Sequence, residues 1–134
     1  MSKKVLILCT GNSCRSIIAE ALINSYIAGV KAYSSGVKPS GKVNENAKKV
    51  LTQHGNWNES YHSKTLDTLK DINFDLVVTV CDHAKESCPQ FLKSSPIIHI
   101  GFEDPDGKGY EEFEKTYKEI KEVLLPKVKE ELKV

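Results

Sequence analysis

Val5-Leu6-Ile7-Leu8 is a short, wholly apolar run near the start of the chain. A half-exposed strand would alternate apolar and polar positions. An unbroken run suits a strand buried on both faces of a parallel sheet. Thr10-Gly11-Asn12-Ser13 follows as a turn. Ala19, Leu22, Ile23, Tyr26 and Ile27 then recur at helical spacing, with Gly29 as the stop. A second strand is expected at 31–34, closed by Ser35-Gly36. Asn44 caps a helix whose apolar face is Ala47, Val50 and Leu51, and Gly55 lies just past its end. Residues 55–63 read as loop and 66–69 as a short helix. Leu76-Val77-Val78-Thr79-Val80 is the strongest strand signal, β-branched and almost entirely apolar. Residues 82–88 form a short polar segment, 96–100 a fourth strand, and 101–109 a loop carrying acids, glycines and a proline. The chain closes on an amphipathic helix with Phe113, Tyr117, Ile120 and Leu124 on one face. Pro126 is expected to kink or interrupt it.

Strands alternating with helices imply an α/β fold in three α/β/α layers around a four-stranded parallel sheet. In such sheets ligands bind beyond the carboxyl ends of the strands. The segments after Leu8, Val80 and Ile100 are therefore expected to open on one side. With 134 residues, a single domain over 1–134 is expected.

Composition narrows the function classes. Hydrophobic residues are 40% and charged residues 28%, an ordinary globular balance. Nineteen Lys and Arg against eighteen Asp and Glu leave a formal charge of +1, so neither nucleic acid nor a membrane surface is expected as a partner. No apolar run nears the ~18 residues of a membrane span. Val5 to Cys9 is too short for a secretory signal, which predicts a cytoplasmic protein. In that compartment the four cysteines point to catalysis or metal binding rather than to structural bridges.

The turn after the first strand carries the strongest chemical signal. Cys9-Thr10-Gly11-Asn12-Ser13-Cys14-Arg15-Ser16 leads from a buried strand into a helix. A helix N-terminus presents unpaired amides and a positive dipole end, which together favour an anion. Gly11 is expected to let the backbone curl around that ion. Arg15 adds a planar fork suited to two oxygens of a tetrahedral oxyanion. The same positive field should lower the pKa of Cys9 and make it a nucleophile aimed at the central atom of the ion. Cys14 reads as a structural or protective thiol. Alternatively, Cys9 is an inert, buried strand end.

Two further cysteines follow the strongest strand. Cys81 is expected at the same sheet edge as Cys9, and Cys88 lies seven residues on. No large apolar side chain stands between them, so little burial holds the segment. One reading is thiol–disulfide exchange, with Cys81 attacking sulfur at Cys9 and Cys88 then attacking Cys81. Another is zinc held by four thiolates, for which the spacings are loose and Arg15 has no role. In a third, both thiols merely pack. In the acidic loop, Pro105 favours an extended Asp104; on local composition alone this is an ordinary solvated loop, but beside the Cys9–Arg15 loop the Asp104 carboxyl reads as a general acid reaching toward Cys9. His54, His62, His83 and His99 share no ligand-like spacing and read as surface or core residues. Asn12, Glu20, Ser34 and Ser35 read as hydrogen-bonding support for the loop.

These residues carry a family resemblance over nearly the whole chain. The segments are Cys9 to Ser16, Ala19-Glu20, Tyr33-Ser34-Ser35-Gly36, Val78-Thr79-Val80-Cys81, Cys88-Pro89 and Gly101-Phe102-Glu103-Asp104-Pro105. The chain resembles thioredoxin-coupled arsenate reductases built on the low-molecular-weight tyrosine phosphatase fold. Phosphatases of that fold share the first loop and the Asp-Pro, while Cys81 and Cys88 match the reductases. The resemblance implies arsenate held by the amides of Thr10 to Ser16 and by Arg15, attacked by Cys9, with Asp104 protonating the departing oxygen. It implies a Cys9–Cys81 disulfide, then a Cys81–Cys88 disulfide reduced by thioredoxin, with Cys14 dispensable; a monomer is expected. Some members hold potassium through an Asn, a Glu, a Ser and an Asp. Asn12, Glu20 and Ser34 match, but the Asp position falls on Thr65 or Lys64, so no tightly bound cofactor is expected. Ile17 replaces a Pro common in the phosphatases, and Asp106-Gly107 stands where many of them carry aromatic residues. The alternatives are a tyrosine phosphatase using Cys9, Arg15 and Asp104, and a redox- or metal-sensing module.

Overall fold

The computed structural model describes residues 3–81 and 95–134. Strand β1 spans Lys3–Cys9, helix α1 Arg15–Tyr26, β2 Val30–Gly36 and α2 Glu45–Gln53. A 3-10 turn at Leu66–Leu69 precedes β3 (Leu76–Thr79), β4 (Ile97–His99) and the last helix, α3 (Tyr110–Leu132). The four strands form one sheet in the order β2-β1-β3-β4, and every pairing is parallel. The expected polar segment at 82–88, with His83 and Cys88, lies outside the described residues.

Burial explains the unbroken apolar run. Val5, Leu6, Ile7 and Leu8 are each fully buried, and successive strand residues face opposite sides of the sheet. Both faces are therefore covered, as the three-layer architecture requires. The helices α1, α2 and α3 contact one another, and α1 lies on β1 and β2. Phe113, Tyr117, Ile120, Leu124 and Val128 of α3 complete that core. Each such side chain, fully buried, stabilises the fold by about 1.5–3 kcal/mol.

Pro126 does not interrupt the last helix. Helix α3 continues through Pro126 to Leu132. Beyond the proline, Val128 and Leu132 are buried, so packing of the last turns offsets the amide hydrogen bond that proline forfeits.

Parallel pairing puts the carboxyl ends of all four strands on one edge. Cys9 pairs with Gly36, Leu8 with Thr79, and Thr79 with His99. Beyond the strands, the Val80 amide donates to the Leu8 carbonyl at 3.0 Å, and the Phe102 amide to the Val80 carbonyl at 3.1 Å. The loops after β1, β3 and β4 are thus tied side by side, as the sequence predicts.

Candidate active site

The loop between β1 and α1 is shaped from outside. Its carbonyls are taken by amides of the segment that follows β2. Val37 donates to Cys9 at 3.0 Å, Lys38 to Thr10 at 3.0 Å, Ser40 to Gly11 at 2.9 Å and Asn44 to Ser13 at 3.0 Å. The Ser63 hydroxyl adds a second bond to the Gly11 carbonyl at 3.1 Å. Each of these bonds uses a loop carbonyl, so none consumes a loop amide. Helix α1 begins at Arg15 with no side-chain cap at Cys14 and no acid in its first turn. An uncapped helix start keeps its orphan amides and positive dipole end for an anion.

The backbone demand expected at Gly11 falls elsewhere. A Cβ on Gly11 would meet only the Ser13 hydroxyl, at an ordinary 3.5 Å. It is Asn12 that takes the left-handed conformation, with φ at 50°. Asn is one of the few residues that enter that region readily, because its short amide bonds locally. Here the Asn12 amide nitrogen donates to Ser16 at 2.8 Å and to Ser34 at 2.9 Å, and its oxygen accepts the Lys64 amide at 2.8 Å. Gly36 is the glycine whose space is filled. A Cβ there would lie 2.5 Å from the Thr10 carbonyl oxygen and 3.1 Å from the Asn12 Cβ. The signal for it, Ser-Ser-Gly at a strand end, reads from sequence only as a terminator.

Cys9 and Cys81 come together at the base of the loop, Cys9 at 3% exposure and Cys81 at 7%. Each thiol is near enough to influence the other's protonation, and no disulfide joins them. The Thr10 hydroxyl lies 3.1 Å from the Cys81 sulfur. Juxtaposition corrects the expected acidity of Cys9. The hydrogen bond to Cys81, burial and the neighbouring Cys81 charge raise its pKa, outweighing Arg15 and the Thr10 amide, which lower it. Cys9 therefore rests as a thiol. Cys14 is buried too, and burial pushes its thiol up to about 12. That suits the structural role expected of it.

Arg15 and Asp104 meet at 3.4 Å, Arg15 mostly buried and Asp104 about half exposed. The Arg15 Nη1 also donates to the Phe102 carbonyl at 3.1 Å. Its Nε is buried without a partner among the described residues. A buried donor left unsatisfied is costly and marks a place for an incoming acceptor. The acidic loop thus reaches the site, with Pro105 buried and the Asp106 amide donating to the Asp104 carboxylate at 3.0 Å.

Behind the loop, the buried Glu20 accepts from Ser34 at 2.6 Å. Burial raises the pKa of Glu20, countered by the Lys64 ammonium and by Ser34; burial in turn lowers the pKa of Lys64. Ser35, expected to help, has a buried hydroxyl with no partner among the described residues. Asn12 donates to Ser34 and Ser34 donates to Glu20, and the Lys64 ammonium is the main cationic charge facing Glu20. Among the described residues no cluster of three His, Cys, Asp or Glu is placed to hold a metal. His54 stacks on Tyr117 at 4.1 Å, His62 bonds the Ser60 carbonyl at 2.8 Å, and His99 lies 2.8 Å from the Thr79 hydroxyl.

Two outcomes follow from this geometry. Gly36→Ala should weaken binding of inorganic phosphate by about tenfold or more in calorimetry, with the far-ultraviolet spectrum unchanged. Unchanged affinity would mean the loop yields to the new Cβ. Cys81→Ala removes the largest influence raising the pKa of Cys9, so the pH for half-maximal alkylation of Cys9 should fall. Peptide mapping after iodoacetamide treatment reads this directly, and an unmoved or higher midpoint would contradict it.

Comparisons with known proteins agree with this architecture. Residues 4–133 match the family described as low molecular weight phosphotyrosine protein phosphatase. An arsenate reductase of Bacillus cereus strain 03BB102 is 41% identical over 125 residues, covering 90% of each chain. A crystal structure of an arsenate reductase from Archaeoglobus fulgidus superposes with a TM-score of 0.73 at 34% identity, covering 88% of this chain and 93% of that one. A structure titled as an arsenate reductase in the phosphate binding state gives a TM-score of 0.76 at 28% identity, over 90% of this chain and 92% of that one. With its anion loop, uncapped helix start and parallel sheet, the chain belongs to the low molecular weight phosphotyrosine protein phosphatase family.

Proposed function

We propose that this protein reduces arsenate to arsenite by thiol chemistry, with thioredoxin restoring the oxidised thiols. The observation that carries this reading is the placement of two buried thiols, Cys9 and Cys81, together beneath the oxyanion loop, with the Thr10 hydroxyl 3.1 Å from the Cys81 sulfur. Ester hydrolysis needs one nucleophilic sulfur. Reduction needs a second sulfur within reach of the first.

The chemistry follows from the arrangement. Arsenate enters as an anion and is held by the amides of Thr10 to Ser16 and by the Arg15 guanidinium. Cys9 rests as a thiol, and its proton passes to an arsenate oxygen as its sulfur bonds to arsenic. An As–O bond breaks, and Asp104 protonates the oxygen as water leaves. Cys81, as thiolate, attacks the Cys9 sulfur. The S–As bond breaks with its electron pair going to arsenic, which leaves as arsenite, and a Cys9–Cys81 disulfide remains. Cys88 attacks Cys81, returning Cys9 and forming the Cys81–Cys88 disulfide that a thioredoxin dithiol reduces. No step requires potassium.

The surface beside the loop also favours a small oxyanion over an aryl ester. A hollow of about 410 Å³ beside the loop is lined by Ser13, Ser40, Lys42, Asn44 and Asp106 among others, and none of the described residues lining it is aromatic. A phosphotyrosine ring gains nothing by stacking there. The relay residues named here belong to one chain, so the protein is read as a monomer. Thioredoxin-dependent turnover implies the cytoplasm, and no described helix is long and apolar enough to cross a membrane.

The test is arsenate-dependent NADPH oxidation in the presence of thioredoxin and thioredoxin reductase. The parent protein should turn over continuously, while Cys88→Ser should stop after one equivalent and lose two thiols per chain. Steady hydrolysis of an aryl phosphate with no arsenate-dependent oxidation would move the assignment to a phosphatase using Cys9, Arg15 and Asp104.

A further inference from the structure

The cap of α2 does more than start a helix. The Asn44 side-chain oxygen accepts the amides of Asn46 at 2.8 Å and Ala47 at 3.4 Å, the ordinary work of an N-cap. Its main-chain amide donates to the Ser13 carbonyl of the oxyanion loop at 3.0 Å. Its side-chain nitrogen donates to the Asp106 carboxylate at 2.9 Å. Asp106 in turn donates its amide to the Asp104 carboxylate at 3.0 Å, and Asp104 faces Arg15 at 3.4 Å. One residue thus joins the helix start, the oxyanion loop and the loop that carries the acid.

Residue choice matters here. Ser, Thr and Asp cap helices about as well as Asn, but none of them offers an amide N–H beside the capping oxygen. Asp104, Asp106 and their neighbours Glu103 and Gly107 are exposed. Burial holds this stretch only at Pro105, so placement of the Asp104 carboxyl depends on a few polar contacts.

We propose that Asn44 is a positioning residue, latching the acidic loop through Asp106 so that the Asp104 carboxyl faces the oxyanion held by the first loop. This rests on the reading of Asp104 as the proton donor in arsenate reduction. The latch acts on the chemical step and leaves arsenate binding alone, because the amides and Arg15 still hold the ion.

A reciprocal swap tests it by single-turnover thiol loss on mixing with arsenate, with Asp104→Asn as reference. Asn44→Asp keeps the cap but sets two carboxylates against each other. It should slow the maximal rate by about tenfold while the half-saturating arsenate concentration moves less than about twofold. Asp106→Ala, which leaves the cap untouched, should match it. Asn44→Asp with Asp106→Asn reverses donor and acceptor and should return the rate to within about threefold of the parent. A purely structural role would lower the melting temperature and would not be repaired by the swap. Parent-like rates in Asn44→Asp or Asp106→Ala, or a double variant no faster than Asn44→Asp, would overturn the latch alone if Asp104→Asn is slow. Asp104→Asn at the parent rate would overturn the acid role and the latch together.

Discussion

The outward turn of the first loop's carbonyls is the constraint on which the site depends. A peptide unit cannot point its carbonyl one way without pointing its amide the other. Four amides of the segment after β2, from Val37, Lys38, Ser40 and Asn44, pin the carbonyls of Cys9, Thr10, Gly11 and Ser13. The loop amides are left for something else. The parallel register that sets Cys9 beside Gly36 makes this possible, because it brings the donor segment alongside the loop. Gly36 lets the two backbones approach to a distance that no other residue allows.

The thiols obey a competition that the loop alone does not decide. Arg15 and the Thr10 amide pull the Cys9 pKa down, while the hydrogen bond to Cys81 and burial push it up, and the second pair wins. Acidity and reach are thus opposed. A sulfur close enough to receive electrons from its neighbour is also close enough to share its proton. An oxyanion substrate resolves the conflict by taking the proton as the sulfur bonds to it, so the nucleophile need not be ionised beforehand. A raised Cys9 pKa is therefore compatible with attack on an oxyanion.

Much of this was legible in the chain because it rests on local patterns. The apolar run at Val5 to Leu8 gave a doubly buried strand, and Asn44 with Gly55 bracketed α2. Cys9, Arg15 and Asp104 were found from a strand-to-helix turn and an Asp-Pro, and the fold brings Arg15 and Asp104 together. What escaped the sequence depends on contacts between distant segments. The need for Gly36 comes from Thr10, 26 positions away in the chain. The conformational load passed from Gly11 to Asn12 because Ser16, Ser34 and Lys64 satisfy the Asn12 amide. Pro126 failed to end α3 because tertiary packing of Val128 and Leu132 overrode a local preference.

The polar shell behind the loop shows how one cradle can serve more than one chemistry. Glu20 holds Ser34, Ser34 and Ser16 hold Asn12, and Asn12 fixes the left-handed turn of the loop. None of these groups touches the reacting sulfur, and none distinguishes arsenic from phosphorus. The cradle therefore recognises a tetrahedral anion and no more. On the proposed function, discrimination lies at the two open sides. Beneath the loop, Cys81 supplies a second sulfur, without which an attacked oxyanion is released only by water. Beside it, a hollow lined by Ser13, Asn44 and Asp106 offers hydrogen bonds where an aromatic ring would need a flat apolar wall. Changes at these two places can redirect the reaction while the sheet, the loop and its supporting shell stay as they are.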